Sequence, residues 1–212
     1  MNRRPPWLGW AIPPLLLPLA VMAWICSNWD RIPPRYAVHF GPGNRPDRWQ
    51  TRTPLHVFGF PIFAEGLVTL LLVLMLCTWY GSRRSDSRPP VEKIMLGVMY
   101  LMSVVFTVVG LMPVVQLPAW PLAVVIPIAA IGLIVYIASQ AGLPDAPTRE
   151  TPQECWSVGG IYYNPQDPDL FVPARWGTGY TLNMANRWAY VFMTTLLLGI
   201  VVLVGFLLWS LR

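Results

Sequence analysis

The chain has 212 residues, of which 55% are hydrophobic and 12% are charged, and its mean hydropathy is +0.48. This composition excludes an ordinary soluble domain. The formal net charge is +5, and 14 of the 15 basic residues are arginines. Because the arginines are spread over several loops, they indicate contact with anionic lipid headgroups, and we expect no nucleic-acid binding.

Five apolar segments of about 20 residues predict an all-α membrane protein with five transmembrane helices. They are residues 7–27, 57–80, 94–116, 121–140 and 190–211. The third and fourth belong to one stretch, residues 94–138, that contains no Asp, Glu, Lys, Arg or His. Pro118 and Pro121 predict its hinge, because proline stops helix propagation. The chain then divides into a helical hairpin (1–93), a second hairpin (94–140), a polar aromatic segment (141–189) and a final helix (190–212).

The distribution of basic residues predicts the orientation. With the N-terminus inside, nine Lys and Arg residues lie on the inner side and six on the outer side, and the short loop with Arg83 and Arg84 is inner. Basic residues concentrate in short cytoplasmic loops. We therefore expect a bacterial inner-membrane protein whose C-terminus is outside. Residues 28–56, here called the cap, are then outside, and residues 141–189, here called the turn-rich segment, are inside.

The cap has two competing interpretations. Tyr36, Val38 and Phe40 alternate with smaller or polar residues and predict one short strand, followed by a turn at residues 41–44. In the first interpretation the cap is a lid braced by ion pairs between Asp30 or Asp47 and neighbouring arginines. In the second it is a recognition face for a protein or peptide partner, built from Arg31, Arg35, His39, Arg48 and Trp49.

The order of small motifs in the cap resembles the N-terminal domain of Sdp-type immunity proteins, which also occurs in other bacterial membrane proteins. The motifs that carry the resemblance are Asp30-Arg31-Ile32-Pro33, His39-Phe40, Gly43 and Pro46-Asp47-Arg48-Trp49. The resemblance implies protection against a secreted toxic peptide and signalling through a cytoplasmic partner.

The turn-rich segment is similar to a second uncharacterised domain that is often found in the same proteins. The motifs are Gly159-Gly160-Ile161-Tyr162-Tyr163-Asn164-Pro165, Asp167-Pro168-Asp169-Leu170-Phe171-Val172-Pro173, Arg175-Trp176-Gly177 and Gly179-Tyr180-Thr181-Leu182-Asn183. Short strands are expected at residues 160–163, 170–172 and 178–182. Six aromatic residues are expected to form a small core or to contact the membrane, namely Tyr162, Tyr163, Phe171, Trp176, Tyr180 and Trp188.

Asn164 and Asp167 each precede a proline and predict two successive Asx turns. The alternative is a Ca²⁺ site with Asp169 as a third ligand, but the spacing is not that of an EF-hand loop. Tyr163, Asn164, Asp167, Asp169 and Arg175 are the candidate functional residues of this segment.

Glu65 is the one charged residue inside a predicted span. An intramembrane carboxyl group is costly and faces the bundle interior or a partner. Three interpretations stay open: a protonated, hydrogen-bonded group inside the bundle, a pair with an arginine of the cap, or a proton or ligand site. His56, at the head of the same span, is a candidate ligand for a pigment metal, although a headgroup contact is the favoured interpretation.

Sequence motifs for catalysis are absent, including H-E-x-x-H, G-x-S-x-G and the Walker loop. The three cysteines form no C-x-x-C pair. We therefore expect no enzyme, no metal and no cofactor beyond bound lipid. The favoured function is binding of a protein or peptide partner, as in an immunity protein or receptor. The alternative is an accessory subunit of a larger respiratory or photosynthetic membrane complex.

Overall fold

The computed structural model describes residues 4–41, 43, 45–82, 91–115, 120–141, 151–176 and 179–210. Most of these residues are helical, and each predicted span corresponds to one helix. The helices are α1 (Ile12–Ser27), α2 (Pro54–Gly81), α3 (Val91–Val115), α4 (Trp120–Ala141) and α5 (Arg187–Ser210). Short 3-10 turns lie at Leu8–Ala11, Trp29–Arg31 and Gln153–Cys155.

Helix length and composition support a multi-pass membrane protein. Among the described residues, four helical segments are long and apolar enough to cross a bilayer: Leu8–Ser27, Pro54–Gly81, Val91–Val115 and Arg187–Phe206. Helix α4 contributes a shorter apolar stretch, Val124–Tyr136. Of the predicted hinge, residues 116–119 lie outside the described residues, whereas Pro121 lies in the first turn of α4. The Arg83–Arg84 pair and residues 143–150 also lie outside them.

The cap folds as a β-hairpin of β1 (Arg35–Gly41) and β2 (Arg45–Thr51). Strand β1 confirms the predicted strand, but the prediction of only one strand was wrong. Strand β2 escaped prediction because Arg45, Pro46 and Asp47 have low strand propensity. It forms because antiparallel pairing with β1 satisfies its backbone. Of the predicted turn, Pro42 and Asn44 lie outside the described residues. Gly43 has φ +77°, which suits glycine in a tight turn.

The turn-rich segment contains a second small hairpin, β3 (Phe171–Pro173) paired with β4 (Tyr180–Leu182). These agree with two of the three predicted strands. The third prediction, residues 160–163, was wrong, since Tyr162 forms only isolated bridges with Trp156 and Asn183. Gly159 and Gly160 have φ +101° and +79°, and this left-handed backbone bends the chain immediately before Tyr162.

The chain forms two compact units, and the boundary between them falls within the helices. The first unit comprises residues 1–69 and 96–137, and the second comprises residues 70–95 and 138–212. In the second unit, Leu74, Cys77 and Phe192 form one buried apolar cluster, and Trp156, Tyr162 and Val172 form another.

Prolines organise the helix packing of the first unit. Pro14 and Pro18 have no N–H group, so the carbonyl groups of Trp10 and Pro14 lose their usual helical donors. Helix α3 replaces both donors. The Tyr100 hydroxyl donates to Trp10 O at 2.9 Å, and the Ser103 hydroxyl donates to Pro14 O at 2.8 Å. These bonds join α1 to α3 and satisfy carbonyl groups that α1 itself leaves without a donor.

Candidate functional site

The cap is fastened to the helices by Arg52 and by an apolar cluster. The Arg52 guanidinium donates to the carbonyl oxygens of Trp29 at 3.2 Å and Ile32 at 2.8 Å, and it lies 5.6 Å from the centre of the Trp29 ring. Trp29 in turn stacks on Phe58 of α2. This arginine is therefore a structural brace, and it is not part of the charge that the cap presents to a partner.

Tyr36 anchors β1 in that cluster. Its side chain packs with Ile32 and with Val21, Ile25 and Val57 from α1 and α2, and only 4% of the residue is exposed. Burial raises the pKa of Tyr36 to about 12, so the phenol stays protonated. Among the described residues, its hydroxyl group has no hydrogen-bond partner.

Asp47 pairs with a histidine and not with an arginine, which corrects the predicted ion pairs of the cap. His39 Nδ1 lies 2.5 Å from Asp47 Oδ1, and both side chains are about half exposed, at 60% and 49%. Within residues 4–41 and 45–82, no ion pair joins Asp30 or Asp47 to the cap arginines. Arg31, Arg35 and Arg48 are exposed.

A groove of about 330 Å³ lies beside the hairpin. Its lining is aromatic, aliphatic and proline side chains with one charged residue, namely Pro33, Arg35, Tyr36, Ala37, Phe40, Pro46, Trp49 and Met112. Arg35 and Trp49 were predicted from the sequence, whereas Arg31, His39 and Arg48 do not line the groove. The contribution of Met112 from α3 was missed, because it depends on the packing of α3 against the cap.

His56 forms hydrogen bonds where β2 ends and α2 begins. Its ring Nδ1 lies 3.0 Å from the carbonyl oxygen of Thr51, and its backbone N–H donates to the Thr53 hydroxyl at 3.2 Å. Thr53 therefore caps the start of α2. His56 also lines a second cavity of about 80 Å³, together with Tyr36 and Gln50 of the hairpin. The structure thus gives this histidine a structural contact at the end of the cap.

Glu65 is half-buried in α2. Its Oε1 accepts a long hydrogen bond of 3.5 Å from the Thr69 hydroxyl one turn later. Its Oε2 is buried and has no partner among the described residues. All five cap arginines are described, and none of them pairs with it, so that interpretation was wrong. The two other interpretations of Glu65, a protonated group inside the bundle and a proton or ligand site, stay predictions.

Replacing Glu65 by Leu should leave the free energy of unfolding unchanged or raise it by up to about 1 kcal/mol. The reason is that the substitution removes a buried oxygen without a partner, while Thr69 can bond to a carbonyl of its own helix. SDS titration in mixed micelles would measure this, with Glu65→Gln as the control of equal shape. A loss of more than about 2 kcal/mol in Glu65→Leu alone would contradict the prediction, since it would require a polar partner.

The turn-rich segment is built around the side chain of Asn183, which is fully buried. Its Oδ1 accepts from the N–H groups of Asn164 at 3.0 Å and Ala185 at 3.1 Å. Its Nδ2 donates to the carbonyl oxygens of Asn164 at 2.9 Å and Asp167 at 3.0 Å. One side chain therefore ties the turn at residues 164–167 to the end of β4. The sequence assigned no role to Asn183.

The predicted Asx turns are present. Asn164 Oδ1 accepts from Gln166 N–H, and Asp167 Oδ1 accepts from Asp169 N–H, each at 3.0 Å. The Tyr162 hydroxyl donates to Asp167 Oδ2 at 3.2 Å. Burial, together with the charge and hydrogen bond of Asp167, raises the pKa of Tyr162 against the opposing effect of the Asn164 hydrogen bond. Both Asp167 oxygens are thus used within the fold, which favours turn formation over Ca²⁺ binding.

The aromatic residues of this segment divide into two groups. Tyr162, Phe171 and Trp188 belong to the buried clusters or pack against them. Tyr163, Trp176 and Tyr180 are 56%, 70% and 40% exposed, so they do not share the core, and contact with the membrane stays a prediction for them. Arg175 is exposed and lies 4.9 Å from the Trp176 ring centre.

Asn186 starts α5 and joins it to α2. Its Oδ1 accepts from Trp188 N–H at 3.1 Å, which is a helix N-cap, and its Nδ2 donates to the carbonyl oxygens of Gly81 at 2.8 Å and Pro168 at 3.3 Å. The turn-rich segment therefore fixes where α5 begins. The asparagine and aspartate side chains that form these bonds hold the turn-rich segment together, and we take the cap groove as the candidate binding site.

Comparison with known families identifies two short regions. Residues 15–64, from α1 through the cap into α2, match a family described as a domain of unknown function (DUF1648). Residues 165–190, from the first Asx turn into α5, match a family of unknown function (DUF5808). No curated protein and no solved structure matches the chain.

Proposed function

We propose that the chain is a non-enzymatic integral membrane protein that binds a protein or peptide partner through the cap groove. The observation that carries the proposal is the concave lining, which combines Trp49, Tyr36 and Arg35. Tryptophan, tyrosine and arginine are the residue types that contribute most to the energy of protein interfaces. The resemblance of residues 30–49 to Sdp-type immunity proteins supports the same class of function, and the matched family region contains the whole cap.

The proposed topology has five spans in a bacterial inner membrane, with α4 as the fourth span and the N-terminus in the cytoplasm. Helix α4 has 22 residues, enough for about 33 Å of helix. A reporter fused after Arg212 should then be active in the periplasm. Cytoplasmic activity of that reporter would contradict the five-span topology with the N-terminus inside.

The binding proposal predicts that groove variants lose the partner. Trp49 is 49% exposed and Arg35 is exposed, so neither side chain is needed to hold the apolar cluster. Trp49→Ala and Arg35→Gln should each reduce co-purification of the partner from native membranes by about tenfold or more, the usual effect of a central interface residue. The measurement is quantitative mass spectrometry after purification in mild detergent.

Two matched control variants distinguish the loss of a groove residue from the loss of any hairpin charge or any exposed tryptophan. Arg45→Gln removes the same charge from the same hairpin, and Trp176→Ala removes an exposed tryptophan from the turn-rich segment. Both should retain the partner. Equal retention by all four variants would contradict the proposal. Contact would then be expected along the apolar side chains that α5 exposes, such as Leu197 and Val201, as in an accessory subunit of a larger complex.

A further inference from the structure

We infer that the occupant of the cap groove is a short apolar peptide segment that carries one carboxylate, and that this carboxylate pairs with Arg35. The inference rests on the proposed function and names the chemistry of the partner. Its first support is the lining of the groove, in which Arg35 is the one charged residue among aromatic, aliphatic and proline side chains. Such a site favours an apolar ligand with a single anionic group.

The second support is the excess of positive charge on the cap. It has five arginines against two aspartates. Asp47 is held by His39, and no carboxylate among the described residues pairs with Arg35. Arg52 is bound to backbone carbonyl groups, so it does not compete for a ligand. Arg35 therefore meets a ligand as an exposed guanidinium, which binds a carboxylate through two parallel hydrogen bonds.

The third support is size. A groove of about 330 Å³ is at the lower end of the range of small-ligand sites, roughly 300–1,000 Å³. It holds a few side chains of a peptide and not the surface of a folded domain. Trp49 is half exposed, Phe40 is partly buried and Tyr36 is buried, so the groove offers aromatic side chains to the ligand beside a fixed aromatic wall.

The test is affinity selection from a pool of soluble random hexapeptides, using the full chain in phosphatidylcholine nanodiscs and empty nanodiscs as the background. Half of the pool has amidated C-termini, which separates a terminal carboxylate from Asp and Glu side chains. Wild type should enrich apolar peptides that carry a carboxylate about tenfold over amidated apolar peptides that contain neither Asp nor Glu. Arg35→Gln should abolish this preference, Arg35→Lys should keep part of it, and Arg45→Gln should keep all of it.

Four results would overturn the inference. A preference for carboxylates that survives Arg35→Gln, or that Arg45→Gln removes equally, would assign it to the general field of the cap. Displacement of the peptides by phosphatidylglycerol in the nanodisc would make a lipid headgroup the occupant. Enrichment that depends on Trp49 but shows no preference for carboxylates would refute the inference and leave the proposed peptide binding intact. Absence of any enrichment over empty nanodiscs would refute the proposed peptide binding as well.

Discussion

Asn183→Asp is expected to lower the stability of the turn-rich segment by roughly 3 kcal/mol or more. The substitution keeps the shape of the side chain and the acceptor for Asn164 and Ala185. It replaces Nδ2, which donates to the carbonyl oxygens of Asn164 and Asp167, by an oxygen that donates to neither when ionised. Two buried acceptors would lose their donor, and a buried charge would face both of them.

Hydrogen exchange measured by mass spectrometry on residues 155–186 would report this loss, because the N–H groups of Asn164 and Ala185 bond to the same side chain. Asn28→Asp is a suitable control. Its Nδ2 donates to the carbonyl oxygen of Trp24 at 2.8 Å at an exposed helix end, where water can replace the bond. If both variants exchange as slowly as the wild type, Asn183 is not the centre of the segment.

Ser103→Ala is expected to lower the stability of the first unit by about 1–2 kcal/mol. Ser103 is fully buried, and its hydroxyl supplies the donor that Pro18 cannot supply to the carbonyl group of Pro14. Hydrogen bonds between membrane helices contribute roughly 0.6–2 kcal/mol. The measurement is SDS titration in mixed micelles. Ser27→Ala, an exposed hydroxyl that bonds within α1, should have a much smaller effect.

A second substitution, Pro18→Ala, tests whether the loss in Ser103→Ala arises from the unpaired carbonyl group of Pro14. Pro18→Ala restores an N–H group one turn after Pro14, so the Pro14 carbonyl group regains a donor inside α1. Ser103→Ala should therefore be less destabilising in the Pro18→Ala background than in the wild type. Equal losses in the two backgrounds would show that the Ser103 effect arises from packing and not from the freed carbonyl group. The double-mutant cycle separates these contributions.

The side-chain contacts of the cap could not be predicted from the sequence. Its recognition residues were proposed from composition, but Arg31, His39 and Arg48 lie outside the groove, and Asp47 pairs with His39 and not with an arginine. Arg52 braces the cap through the carbonyl oxygens of Trp29 and Ile32, a role that the sequence did not predict. These assignments depend on strand register and on contacts between residues distant in sequence, and neither leaves a periodic signal.

Local chemistry determined the helices and the turns. Long apolar segments specify membrane helices because each backbone group is satisfied within its own segment, and Asn164 and Asp167 specify Asx turns through bonds two residues away. Tertiary structure alone decided the pairing of β2 with β1, the central position of Asn183 and the meeting of Ser103 with the Pro14 carbonyl group. Asn183 and Ser103 each join parts of the chain that no local pattern connects, and β2 pairs with β1 although its own residues have low strand propensity. The hydrogen-bond partners of these side chains are buried backbone groups, which must be paired. Which backbone groups are buried is known only from the folded structure.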